Sequence, residues 1–194
     1  MSLRASILAL LLGLAPIPAL VPGTASAQST QPPFQAPTEE QVVAMLSGVE
    51  DVPSVETWRA IGPGLVPVLA RIADDAQRPG FVRLRAVQVA GVFTTDAAKA
   101  LLRRAVRSRD PLVQREAAIA MARAFGRDAI ADVAPLLEHA DTAVREGAIR
   151  ALGSIDDDGA RSRLRARLAR ERDTVLREQI ETVLSGGVGA PRDG

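Results

Sequence analysis

The chain has 194 residues, of which 47% are hydrophobic, 24% charged and only 3% aromatic, with no cysteine and one histidine, His139. The absence of cysteine excludes disulfide scaffolds, thiolate metal and iron–sulfur sites, thiol catalysis and a lipoprotein anchor, and a lone histidine leaves neither a His-rich metal site nor a His-based triad within the chain. The formal net charge is +1, too small for the basic field that nucleic-acid binding demands.

From the N-terminus, Met1–Arg4 carries one positive charge, Ile7–Val21 is a 15-residue apolar run broken by Pro16 and Pro18, and Ala25-Ser26-Ala27 has a small-x-small form. These are the parts of a secretory signal peptide, expected over residues 1–27 with cleavage after Ala27. The run falls short of the ~20 apolar residues that cross a bilayer, so no membrane insertion is expected once the leader is removed. A single Arg4 rather than an arginine pair points to Sec-type export, to the periplasm or the outside of the cell. Loss of Arg4 leaves 23 basic and 23 acidic side chains, a neutral mature chain.

Gln28–Pro37 (QSTQPPFQAP) has no periodicity and reads as a flexible linker. Residues 185–194 contain four glycines and a proline and read as a disordered tail, so the folded part is expected over 38–184. Thr38-Glu39-Glu40-Gln41 is a capping box opening a helix over Thr38–Ser47. Ser54–Gly62 reads as the first helix of an irregular first unit and Gly64–Asp74 as its second, with a long link, 75–80, behind them. Trp58 falls on the apolar face of the short helix, where a bulky lid over the end of the core is preferred to a ligand-stacking role.

Beyond the link an internal repeat governs the pattern. Val82, Val113, Val144 and Val175 are spaced by 31 residues each, and Ala86, Ala117 and Ala148 follow on the same ladder. A second set recurs a dozen residues later: Ala98, Ala129 and Ala160, then Leu102, Val133 and Leu164. Within a unit, Val113, Ala117, Met121 and Phe125 follow i, i+4, i+8, i+12, and Ala98, Leu102, Ala105 and Val106 follow i, i+4, i+7, i+8. Each unit is therefore expected to be two amphipathic helices. Asp96, Asp110, Asp128, Asp141 and Asp173 precede these segments as N-cap candidates, and Pro111 suits a first helical position. One such hairpin cannot bury its apolar face alone, so the units, about 54–79, 80–109, 110–140 and 141–172 with a half unit 173–184, are expected to stack.

Asp110–Ala122 (DPLVQREAAIAMA), Asp141–Leu152 (DTAVREGAIRAL) and Val82–Ala90 (VRLRAVQVA) resemble the D-x-x-V-R-x-x-A-x-x-A-L signature of HEAT repeats, of the short type found in phycocyanobilin lyase subunits. The resemblance covers about 54–184 and implies an all-α fold, a right-handed α-α superhelix of about four hairpins plus a C-terminal half repeat. It also implies a polar ladder between units made by an Asp and an Arg near the start of each first helix. Asp141 and Arg145 match that pattern. Asp110 is followed by Gln114 at the Arg position with Arg115 beside it, Arg83 has Pro79 at the Asp position, and the last repeat has Leu176 where Arg is expected.

Catalytic chemistry finds little support in the residues. Asp156-Asp157-Asp158-Gly159 would need a bidentate Glu at its twelfth position to be a calcium loop, and Arg167 stands there, so a turn with a capping Asp is preferred. Asp74-Asp75 lies in a polar link, Ser154 and Ser162 have no neighbouring histidine, and no phosphate loop occurs. His139 beside Glu138 sits at a helix end, where a cation suits the dipole. Lyase activity, which the resemblance raises, is disfavoured by the expected export. No enzyme activity, metal or cofactor is expected.

The resemblance places the second helices on the concave side of the array. There Lys99, Arg103, Arg107, Arg161 and Arg165 form a candidate basic surface for an acidic peptide or an anionic polymer, interrupted in the third unit by Ile130 and Ala134. A solvated face balanced by neighbouring carboxylates is the bland alternative and is preferred to it. Arg163 and Arg167 are expected to make the last flank polar, as a solubilising cap. The expected function is a non-catalytic protein-interaction scaffold or adaptor; the alternative is a non-catalytic accessory subunit of an envelope enzyme or lyase-type complex.

Overall fold

A computed structural model describes residues 37–48 and 52–186. The expected signal peptide, nearly all of the linker and most of the tail lie outside the described residues. Those described contain helices, turns and no strand. In chain order the helices are α1 (Glu39–Ser47), α2 (Val55–Ile61), α3 (Val66–Asp74), α4 (Gly80–Ala90), α5 (Asp96–Ala105), α6 (Pro111–Phe125), α7 (Ile130–Val133), α8 (Thr142–Gly153), α9 (Asp158–Leu168) and α10 (Thr174–Leu184).

Helices α4, α6, α8 and α10 are the first helices of successive units and lie side by side in that order, each against the next. Helices α5 and α9 pack behind α4 and α8 as their hairpin partners. The contact surface is the repeating stripe: Val82, Ala86 and Ala90 of α4, Val113, Ala117 and Met121 of α6, and Val144, Ala148 and Leu152 of α8 are all buried. Ala98, Leu102, Leu164 and Ala160 close the same core from the second layer. Alanine dominates these columns because helix axes 8–10 Å apart leave little room between backbones. One close approach is at Gly91, just past α4, where an added Cβ would stand 2.8 Å from Ala120 Cβ and 3.1 Å from its Cα. Gly91 has an ordinary φ of −71°, so space and not backbone freedom demands glycine. Gly91→Ala is expected to cost about 1–3 kcal/mol, read as a lower urea midpoint with unchanged helical content; an unchanged midpoint would show that α4 and α6 can separate freely.

The caps explain where the helices begin. Thr38 forms the reciprocal capping box with Gln41, Ser54 caps α2, and Asp110, Asp141, Asp157 and Asp173 each accept from backbone N–H groups in the next turn. Thr95, not Asp96, caps α5, because its hydroxyl reaches the Ala98 N–H and leaves Asp96 as the first helical residue. Asp128 caps nothing and lies inside a 3₁₀ segment, Gly126–Ala129.

Four further features depart from the sequence expectation. On its N-terminal side α4 packs chiefly on α3 and also on α1, which itself packs on α3, while α2 lies chiefly against the turn that follows it. The first unit is thus built from α1 and α3, with α2 inserted between them and contributing Trp58 to the core. The second half of the third unit is not a continuous α-helix. It runs as the 3₁₀ segment Gly126–Ala129, the single turn α7 and a second 3₁₀ segment, Ala134–Glu138. Pro135 has no N–H to give to an α-helical bond and crowds the turn before it, yet Ala129, Val133 and Leu137 stay buried on the repeat's path.

The third departure is in register. Val175 is 70% exposed, whereas Leu176 and Ile180 are buried. The last interval is therefore 32 residues, from Val144 to Leu176 and from Ala148 to Ile180, with the additional residue in the link 169–172 between α9 and Asp173. Leu176 is the buried aliphatic of the pattern and Arg177, not Leu176, occupies its arginine position. Last, Arg167 is no solvent-facing cap: its side chain is only 12% exposed and is bound by carboxylates.

Candidate interaction surface

The residue following the buried aliphatic in each first helix turns back along the array and closes the end of the preceding unit. Arg83 Nε donates to the Ala73 carbonyl at 3.2 Å, and Gln114 Nε2 to the Val106 carbonyl at 3.2 Å. Arg145 Nη1 donates to the His139 and Ala140 carbonyls at 2.9 and 2.8 Å. Arg177 Nη1 does the same to Leu168 and Glu171 at 2.8 and 3.2 Å. These carbonyls lie at helix ends and in the links that follow them, where they would otherwise lose water without gaining a partner. The ladder between units is thus chiefly cation or amide to carbonyl. Of the Asp–Arg pairs implied by the resemblance, Arg83 lies 3.8 Å from Asp110. Asp141 instead serves its own helix through the Ala143 and Val144 N–H groups. Gln114 belongs in this set and Arg115 does not; Arg115 reaches Glu146 of the next unit at 2.7 Å, and that carboxylate holds its guanidinium above the ordinary range.

His139 Nδ1 accepts the Asp141 N–H at 3.0 Å, within the turn that leads into α8.

The polar centre of the fold is Glu171, in the link 169–172 that carries the additional residue. Its side chain is 1% exposed. It accepts from Arg145 Nε at 3.1 Å, from Arg167 Nε and Nη2 at 3.0 and 2.8 Å, and from the N–H groups of Arg172 and Asp173. Burial alone would raise its carboxyl; the Asp173 N–H, Arg167, Arg145 and the Arg172 N–H outweigh that and bring it down to about 2. Arg167 also meets Glu138 at 2.8 Å. A carboxylate held this way fastens three elements and has no proton to exchange near neutrality.

On the layer of second helices, the candidate basic surface is divided. Lys99 lies 3.2 Å from Asp128 and Arg103 lies 2.9 Å from Asp132, both across to the third unit. Arg161 meets Asp156 at 3.3 Å, and Arg127 meets Asp157 at 2.7 Å. Lys99 Nζ also sits 5.2 Å from the centre of the Phe125 ring. Arg107 and Arg165 are exposed and lack a carboxylate partner among the described residues. The five side chains therefore form an alternating seam of charge, with the segment around α7 supplying acid between α5 and α9. The signal for this was present: both pairs are 29 residues apart, as is Arg167 with Glu138. An interval two short of the repeat is easily missed when only matching columns are compared.

A shallow groove of about 890 Å³ opens beside the C-terminal ends of α6 and α8, with Ile119, Ala122 and Ile155 along it and Arg123, Arg127 and Arg150 at its edge. These arginines already have partners: Arg123 the Gln88 carbonyl, Arg127 Asp157 and Arg150 Glu146. No group of three or more His, Asp or Glu side chains able to hold a metal occurs among the described residues. No described helix is long and apolar enough to cross a membrane.

Residues 98–185, from α5 to the end of α10, match the family described as HEAT repeats. No curated protein matches the chain in sequence. Among solved structures, one similar chain belongs to the complex of CpcE and CpcF of phycocyanin lyase from Nostoc sp. PCC7120; it is 16% identical, with 80% of this chain and 79% of that chain covered and a TM-score of 0.38.

Proposed function

Because this chain is a HEAT-repeat protein, we propose that it acts as a non-catalytic scaffold or adaptor that binds a protein partner after export. The observation that carries this reading is the stack itself. It sets equivalent side chains at regular steps along a continuous helical surface, which suits an extended partner better than a small substrate. The strongest perturbed acid, Glu171, is enclosed and bound on every side, which supports a structural rather than a catalytic use of the buried charge. Export is supported by the charged start, the proline-broken apolar run and the Ala25-Ser26-Ala27 site.

Purification from the native host after in-cell crosslinking tests both parts. The chain is expected in the exported fraction with Gln28 as its N-terminus and in a complex with another protein. A chain that retains Met1 inside the cell would contradict export, and one that forms no complex with a second protein would contradict the scaffold role. On the seam of second helices, Arg165→Glu is expected to leave stability within about 0.5 kcal/mol, because no carboxylate faces it. Arg103→Glu is expected to lower the urea midpoint by placing a carboxylate against Asp132. Equal losses in the two would show that the pairing with Asp132 has no energetic consequence.

A further inference from the structure

The first helices of units two to five start in the same way, with a cap, one further residue, an exposed apolar residue and then the buried aliphatic. The exposed residues are Phe81, Leu112, Ala143 and Val175. Phe81 is 50% exposed, Leu112 54% and Val175 70%, and Ala143 is partly exposed. Core packing does not need them, since the next residue in each helix, Val82, Val113, Val144 or Leu176, already fills the core. Nor does the helix end prefer them, because the first turn of a helix favours carboxylates. Helices α1, α2, α5 and α9 follow that preference with Glu39 and Glu40, Glu56, Asp96 and Asp158, whereas α4, α6, α8 and α10 have no acid in the first turn. Side chains at this position lean towards the helix N-terminus, and the four helices are neighbours in order, so the apolar residues form a row along one edge of the array.

The charge beside the row is basic. Arg107 and Arg109 precede Leu112 and Arg172 precedes Val175; all three are exposed and pair with no carboxylate among the described residues. Of the carboxylates beside these arginines and the row, Asp110, Asp141 and Asp173 accept from N–H groups of their own helices, and Glu171 is buried against Arg145 and Arg167. Neighbouring first helices at roughly 8–10 Å nearly match the ~10.5 Å rise of seven residues of α-helix. An extended strand repeats each side at about 6.6–6.8 Å and falls out of step. We propose that this edge docks an acidic amphipathic helix of the partner protein, its apolar residues at seven-residue intervals set on Phe81, Leu112, Ala143 and Val175 and its carboxylates against Arg107, Arg109 and Arg172. The proposal rests on the scaffold reading and names the surface that reading leaves open.

The test uses the mature chain and a fluorescent synthetic peptide of about three heptads, with Leu at every seventh position and Ala and Glu between, read by anisotropy. Saturable binding is expected, weakened roughly ten-fold or more in Leu112→Ser/Val175→Ser and in Arg107→Glu/Arg109→Glu. Circular dichroism and thermal melting of both variants should match wild type, since the altered side chains are exposed. Absence of saturable binding, equal affinity in the variants, or equal affinity for a peptide with Lys in place of Glu would overturn the proposal. So would a wild-type dimer that becomes monomeric in Leu112→Ser/Val175→Ser, which would assign the edge to a second copy. Failure of the scaffold reading is distinct: the wild-type chain then forms no complex in the native host, whatever the peptide does.

Discussion

Val144→Asp is expected to abolish cooperative folding of at least its own unit and both neighbours, while Val175→Asp, its counterpart at the 31-residue interval, leaves stability nearly unchanged. Val144 is fully buried between α6 and α8, in the middle of the array. Removing its apolar surface forfeits roughly 1.5–3 kcal/mol, and an isolated carboxylate there adds a desolvation cost of several kcal/mol. Together these approach the whole stability of an ordinary domain, about 5–15 kcal/mol. The loss spreads because each hairpin is stable only against its neighbours. Val175 is 70% exposed, so an aspartate there remains in water and should change stability by no more than about 0.5 kcal/mol. Leu176→Asp is expected to behave like Val144→Asp. Urea unfolding followed by far-UV circular dichroism distinguishes the two; a large loss in Val175→Asp with little in Leu176→Asp would restore the uninterrupted 31-residue register.

The second large effect concerns the link between α9 and α10. Glu171→Gln keeps the shape of the side chain and removes its charge, which leaves Arg145, 11% exposed, without a carboxylate partner and Arg167, 12% exposed, with Glu138 alone. Breaking a buried pair in this way costs roughly 3–5 kcal/mol. The wild-type carboxyl titrates at about 2 when folded, against an ordinary 4.5. A depressed folded value means that the stabilisation is present above the unfolded value and disappears as pH falls towards the folded one. The contribution is on the order of 3 kcal/mol near neutrality and is lost between about pH 5 and pH 2. The gap in urea midpoint between wild type and Glu171→Gln should therefore be widest at neutral pH and shrink on acidification over that range. A gap independent of pH would mean that the ion cluster does not stabilise the fold.

The repeat makes most of the architecture legible in the sequence. Its alanine and valine columns report burial directly, and the capping aspartates mark where units start. What escaped it has physical causes. One added residue at the link 169–172 leaves a helix fully helical but rotates the buried stripe from Val175 to Leu176, so the pattern continues with a different residue inside. Pro135 breaks hydrogen bonding while Val133 and Leu137 keep their places, so the apolar period does not register the change. Helices α3 and α1, not α2, pack against α4, because contact is decided by packing and α2 is an insertion between them. The surface was harder still. Lys99 and Arg103 belong to a basic column, but their charges are settled by Asp128 and Asp132 at an interval outside the repeat. Glu171 stands in the sequence between Arg170 and Arg172, and only folding encloses it between Arg145 and Arg167.

The claim on which the rest depends is that the units stack in a line on a shared core. The chain has no cysteine, so paired spin labels can be placed cleanly at Phe81→Cys/Ala143→Cys and at Phe81→Cys/Val175→Cys, on side chains the core does not need. With neighbouring helices roughly 8–10 Å apart, pulsed electron–electron resonance should give distances of about 16–20 Å for the first pair and about 24–30 Å for the second. A second distance equal to or shorter than the first would mean that the helices fold back into a closed bundle, and the stacked array would be wrong.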